Sequence, residues 1–114
     1  MDIEELDVFK LSHALVLEIY RLTNKFPNRE IFNLTIQMRR AASSVPMNMV
    51  EGANRKTGGE YKHFLGMAKG SASEVKYQLL LAKDLGYVKS EEAEKLRGEY
   101  NRVLQMLTKL IKSL

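Results

Sequence analysis

The sequence predicts an all-α protein, an antiparallel up-down four-helix bundle whose second helix is kinked at Pro46. Three observations carry this. Apolar residues recur in alternating steps of three and four along four segments, which is the signature of one buried helix face. Proline and glycine punctuate the chain between those segments. No stretch alternates polar and apolar residues as a half-buried strand would. At 114 residues the chain has the size of one domain, spanning 1–114, with enough length for a single core.

Helix one carries Val8, Leu11, Leu15, Ile19, Leu22 and Phe26 on one face. Asp7 is placed to cap it, and Pro27 ends it because the residue before a proline is pushed out of the helical region. Helix two is predicted to start from Asn28 as its cap and to run to about Asn54, with Ile31, Leu34, Met38, Ala41, Ala42, Val45 and Met49 facing inward. Pro46 removes one backbone donor and crowds the preceding turn, so a kink is expected between Ala42 and Pro46 rather than two separate helices. Asn54-Arg55-Lys56-Thr57-Gly58-Gly59 reads as the loop to helix three. Thr57 and Glu60 have the spacing of a capping box. Helix three buries Tyr61, Phe64, Leu65, Ala68, Ala72, Val75, Leu79 and Ala82, and ends at Gly86 as a left-handed cap. Ser90 is the expected cap of helix four. Leu96, Tyr100, Val103, Leu107, Leu110 and Leu114 line its inner face, with acids in the first turn and Lys109 and Lys112 in the last to match the helix dipole. Short connections make neighbouring helices run in opposite directions.

Composition narrows the function classes. A 45% hydrophobic and 28% charged chain is ordinary for a globular protein and argues against disorder. The absence of cysteine excludes disulfides, thiolate metal sites and cysteine nucleophiles. Charged residues interrupt every apolar run well short of the roughly 20 residues needed to span a bilayer. The acidic start Met1-Asp2-Ile3-Glu4-Glu5 is unlike a secretory signal, so the expectation is a cytoplasmic protein without a membrane partner. A net charge of +4 and an isoelectric point near 9.4 point to polyanionic partners.

Catalytic constellations are missing. His13 and His63 lie on different helices and neither belongs to an HExxH motif. Glu60 and His63 form a single Glu-x-x-His pair, whereas a carboxylate-bridged dimetal site in a bundle needs two. Gly52, Gly58 and Gly59 lack phosphate-loop spacing. The expectation is a non-enzyme with no metal and no cofactor.

Basic and small residues carry more pattern. Lys62, Lys69, Lys76 and Lys83 recur every seven residues, drifting only about 20° per step. They place charges roughly 10 Å apart along one side of helix three, a spacing suited to backbone phosphates. With Arg55 they are the candidate nucleic-acid contacts. A solvated helix face diluted by Glu60, Glu74 and Asp84 accounts for the same spacing. On helix two, Arg40, Ser44, Asn48, Glu51 and Arg55 share a face away from the core stripe. Gly66, Gly70 and Ser73 cluster on one side of helix three, where they lower helix propensity. The expected reason is an oligomeric or tight interhelical contact.

The run Leu34-Thr35-Ile36-Gln37-Met38-Arg39-Arg40-Ala41-Ala42-Ser43-Ser44-Val45-Pro46-Met47-Asn48-Met49-Val50-Glu51-Gly52 resembles the signature of the four-helix-bundle proteins encoded in 23S rRNA intervening sequences. Tyr20-Arg21-Leu22-Thr23, Phe26-Pro27, Phe64-Leu65, Ala68-Lys69-Gly70-Ser71 and Leu85-Gly86-Tyr87 extend the likeness over nearly the whole chain. The resemblance implies a homopentamer around a central channel. It marks Gln37, Arg39, Arg40, Ser44, Pro46, Asn48, Glu51 and Gly52 as the family signature; Gly66 and Gly70, from their clustering on helix three, are the further candidate oligomer contacts. The family is similar to the accessory variability proteins of diversity-generating retroelements, which implies RNA or DNA, or a protein such as a reverse transcriptase, as partner. Two functions follow as expectations: a homo-oligomer associated with nucleic acid through phosphates, or a protein-interaction scaffold with no direct nucleic-acid binding. Met47, Met49 and Val50 stand where small residues, isoleucine or alanine are more usual in that signature. Lys69 stands where arginine is frequent, giving a point charge in place of a bidentate fork.

Overall fold

The computed structural model describes residues 2–114. Its helices are α1 (Asp7–Thr23), α2 (Ile36–Ala53), α3 (Gly58–Asp84) and α4 (Ser90–Lys112). They form an up-down bundle with extents of 43 × 25 × 19 Å. Each helix packs on its chain neighbours, and α1 closes the ring against α4. Ile19, Met38, Val45, Met49, Leu65, Leu79, Val103 and Leu107 are fully buried between them. These are the positions picked out by the 3.6-residue period, because a stripe that repeats with the helix stays on one face.

The helix starts differ from the sequence expectation in three places. Asp7 is the first helical residue of α1 rather than its cap; Leu6 occupies the cap position without a side-chain bond. The acid that caps is Asp2, whose carboxylate accepts from the Glu4 backbone N–H at 3.2 Å. It starts a short 3₁₀ turn, Ile3–Glu5, that buries Ile3. Ser90 is likewise the first residue of α4, following an uncapped Lys89.

The start of α2 differs most. Asn28 opens a 3₁₀ turn, Asn28–Glu30, and a π-helical turn, Ile31–Thr35, leads into α2. Phe32 (φ −97°, ψ 15°) and Asn33 (φ −130°, ψ −107°) leave the helical region. The cap is Glu30, which accepts from the Leu34 backbone N–H at 3.3 Å and from the Asn33 amide at 3.1 Å. Glu30 is itself held by the Tyr87 hydroxyl, which donates to it at 2.7 Å from the α3–α4 connection. This hydrogen bond keeps the Glu30 carboxyl below the usual carboxylate range and raises the Tyr87 phenol above its own. Ile31, expected inward, is consequently exposed. Downstream, α2 runs as one helix through the buried Pro46. The break in helical dihedrals therefore lies at Phe32 and Asn33, ahead of the proline.

The α3 boundaries follow the sequence. The Thr57 hydroxyl accepts from the Glu60 N–H at 3.1 Å and donates to its carboxylate at 3.2 Å. At the other end Gly86 takes φ 82°. Tyr87 N–H then reaches the Ala82 carbonyl, and Gly86 N–H the Lys83 carbonyl, both at 2.9 Å. This pair of bonds closes the helix in a Schellman motif that a side chain with a Cβ disfavours.

Tyr100 is fully buried on α4, and its hydroxyl has no hydrogen-bond partner among the described residues. Burial raises its ionisation above the ordinary phenol value. A buried unpaired hydroxyl costs free energy, so Tyr100→Phe should be neutral to stabilising, by up to about 1 kcal/mol. Because the folded value lies above the unfolded one near 10, the parent is fully stable below that pH. It loses stability as pH rises toward the folded value. Urea melts at neutral pH and at about pH 11 should therefore show a smaller alkaline loss for Tyr100→Phe.

Candidate binding surface

Most of the signature on α2 is spent on holding helices together. The Arg39 guanidinium donates to the Thr23 hydroxyl at 2.9 Å and to the Asn24 side-chain carbonyl at 2.8 Å. It lies 4.8 Å over the Tyr20 ring. Thr23 in turn donates to the Ile19 carbonyl at 2.7 Å, so Arg39 ties α2 to the last turn of α1. The Ser44 hydroxyl accepts from the Asn48 amide and from the Ser71 hydroxyl, each at 2.9 Å. Asn48 also donates to the Ser44 carbonyl at 2.8 Å. This network fixes α2 against α3.

Gly52 has a steric reason. A Cβ there would stand 2.9 Å from Phe64 Cβ and 3.2 Å from the Tyr61 carbonyl oxygen. The missing side chain lets α2 and α3 approach just before they turn. Glu51 pairs with Arg55, whose guanidinium lies 4.8 Å over Phe64 and 4.0 Å from Glu60. Arg55, a candidate phosphate ligand, is thus engaged across the α2–α3 turn. Gln37 is exposed and reaches Asn33 at 3.4 Å.

Arg40, like Gln37, ties no two helices together among the described residues. It is exposed and enters no ion pair among the described residues. With Ser44, Met47, Asn48 and Glu51 it lines a shallow groove along α2, which brings together four of the five residues of the expected polar face and leaves out Arg55. Met47 is 67% exposed, and Val50 on the same helix is exposed as well.

The lysine row is shorter than its spacing implies. Lys62 is exposed, while Lys69, Lys76 and Lys83 are half-buried. Lys83 pairs with Glu94 of α4 at 3.5 Å. Glu94 also binds Arg97 at 3.0 Å, and chiefly that hydrogen bond lowers its carboxyl below the usual range. Lys62, Lys69 and Lys76 enter no ion pair among the described residues.

Gly66 and Gly70 are exposed, and a Cβ at either would meet nothing within 4 Å among the described residues. A tight contact between helices of this chain is therefore not their reason, which corrects half of the sequence expectation. They face outward on α3 beside the exposed Met67 and Tyr77.

Sequence reading assigned no role to Phe32, which is 92% exposed. The available signal was its position off the inward stripe of Leu34 and Met38, where an aromatic ring has no core to enter. Among the described residues no group of three His, Asp or Glu side chains is placed to hold a metal. No helix there is long and apolar enough to cross a membrane.

Comparison with known proteins places this architecture. A crystal structure of a protein of unknown function from the S23 ribosomal protein family of Bacteroides thetaiotaomicron superimposes with a TM-score of 0.85 at 23% identity. The match covers 92% of this chain and 98% of that one, which establishes the shared fold. Curated proteins provide no match. The profile described as 23S rRNA-intervening sequence protein matches residues 4–109, so the chain belongs to that family.

Proposed function

We propose that this chain is a non-enzymatic homo-oligomeric bundle, pentameric as the resemblance to its family implies, that associates with RNA or DNA through phosphate contacts. The observation that carries the reading is the row Lys62, Lys69 and Lys76, whose charges no carboxylate neutralises among the described residues. The row advances about 10 Å per step and offers contacts to several phosphates without reading bases. Assembly would concentrate the +4 charge of each subunit and raise the local potential. Two unlike surfaces suit a closed ring, in which each subunit presents one patch to the next. One is the apolar ridge of Met47 and Val50 on α2; the other is the outward Gly66–Gly70–Ser73 stripe of α3, where another backbone can come close.

Fluorescence anisotropy with a short single-stranded RNA tests the phosphate contacts. Affinity should fall steeply between about 50 and 200 mM salt. The triple variant Lys62→Gln, Lys69→Gln, Lys76→Gln should bind at least about tenfold more weakly at low salt, with a log–log salt slope shallower by about 2. RNA affinity indifferent to salt or to the triple variant contradicts the reading. A stoichiometric protein partner without nucleic acid, such as a reverse transcriptase, would put the scaffold function in its place.

A further inference from the structure

A cleft of about 500 Å³ opens where the end of α1 meets the start of α2. Tyr20, Phe26, Ile36 and Phe32 supply its apolar walls, and Arg39 and Arg40 its charge. Neither Asp nor Glu lines it. Its volume lies in the range of ligand sites, and its sign is wholly positive.

Phe32 at its edge is presented rather than buried, with 92% of its surface exposed. The turn that carries it is fixed on both sides. The Asn33 amide donates to Glu30, the Gln37 amide donates to Asn33, and Tyr87 anchors Glu30 from the α3–α4 connection. A ring held at the surface by a hydrogen-bonded turn loses little entropy on binding and offers an open face for stacking. Arg39 is already committed to Thr23, Asn24 and the Tyr20 ring. Arg40 enters no ion pair among the described residues, and its planar fork matches the oxygens of a phosphate.

A flat aromatic platform and a free guanidinium in one acid-free cleft select a ligand with an aromatic plane joined to an anion. We propose that this cleft takes one unpaired nucleotide of a single strand, its base stacked on Phe32 and its phosphate held by Arg40. The inference rests on the nucleic-acid reading above and adds a base-dependent site to the lysine row. A peptide wedge would need a closed apolar socket, whereas a base needs only the exposed ring face that Phe32 provides.

The test compares a labelled oligoadenylate with an abasic strand of equal length, using the full chain at fixed low salt. The abasic strand should bind about tenfold more weakly, and Phe32→Ala should weaken oligoadenylate binding by a similar factor. Phe32→Ala should leave abasic binding unchanged, so the two losses do not add. Arg40→Gln should weaken both strands and reduce the salt slope by about 1. Phe32→Leu, which keeps an apolar group but no ring, should behave like Phe32→Ala. Parent-like binding by Phe32→Leu would mean a merely apolar contact, as a peptide makes, and would overturn the proposal. Equal affinity for abasic and adenine strands would also overturn it while leaving the phosphate-binding reading intact. Binding of neither strand would remove both. The substituted side chains are exposed, so helical circular dichroism should match the parent.

Discussion

Gly52→Ala should destabilise the bundle by about 2–3 kcal/mol, read as a lower urea midpoint with an unchanged slope. The new methyl group would meet the Phe64 Cβ and the Tyr61 carbonyl, neither of which is the free end of a flexible side chain. Relief requires α2 and α3 to separate, and their packing is the most extensive between any helix pair. Gly66→Ala is the contrasting case. It lies in open space on a helical surface, where alanine should stabilise an isolated subunit by about 1 kcal/mol through helix propensity. Equal effects at the two positions would refute this division between a steric glycine and an outward one.

The second large effect is on assembly. Met47→Glu combined with Val50→Glu should convert the proposed oligomer to monomer at micromolar concentration, with helicity retained. Both side chains are exposed in the single chain, so neither carboxylate harms the core. Inside a subunit interface each would be a desolvated charge without a partner, at a cost of several kcal/mol per ion. Light scattering distinguishes the outcomes. An oligomer unaffected by both substitutions would remove this ridge from the interface.

The parts of the fold legible in the sequence are those that depend on local period. Ile19, Met38, Leu65, Leu79 and Val103 were placed inward by their spacing and are fully buried. Thr57 and Gly86 were legible because each acts on residues within one turn of itself. The start of α2 was not, because its cap is fixed by a hydrogen bond from Tyr87 to Glu30, 57 residues away. Asp7 and Ser90 have capping chemistry, but a cap also needs a non-helical backbone, and both lie one residue inside their helices.

The candidate surface divides in the same way. Residue type and spacing brought Arg40, Ser44, Asn48 and Glu51 onto one face. What each does there depends on the helix opposite: Ser71 of α3 takes up Ser44, while Arg40 forms no ion pair among the described residues. Lys83 looked equivalent to Lys62 along α3 until Glu94 of α4 was placed beside it. Gly52 and Gly66 look alike in sequence, and only the atoms facing them separate a required glycine from an outward one.

An assembled, phosphate-binding bundle is tested most directly by size-exclusion chromatography with light scattering, run with and without a short RNA at two salt concentrations. A pentamer that shifts to larger mass with RNA at low salt and returns to its own mass at high salt is the expected result. A monomer under every condition, or a pentamer that ignores RNA at low salt, would contradict it.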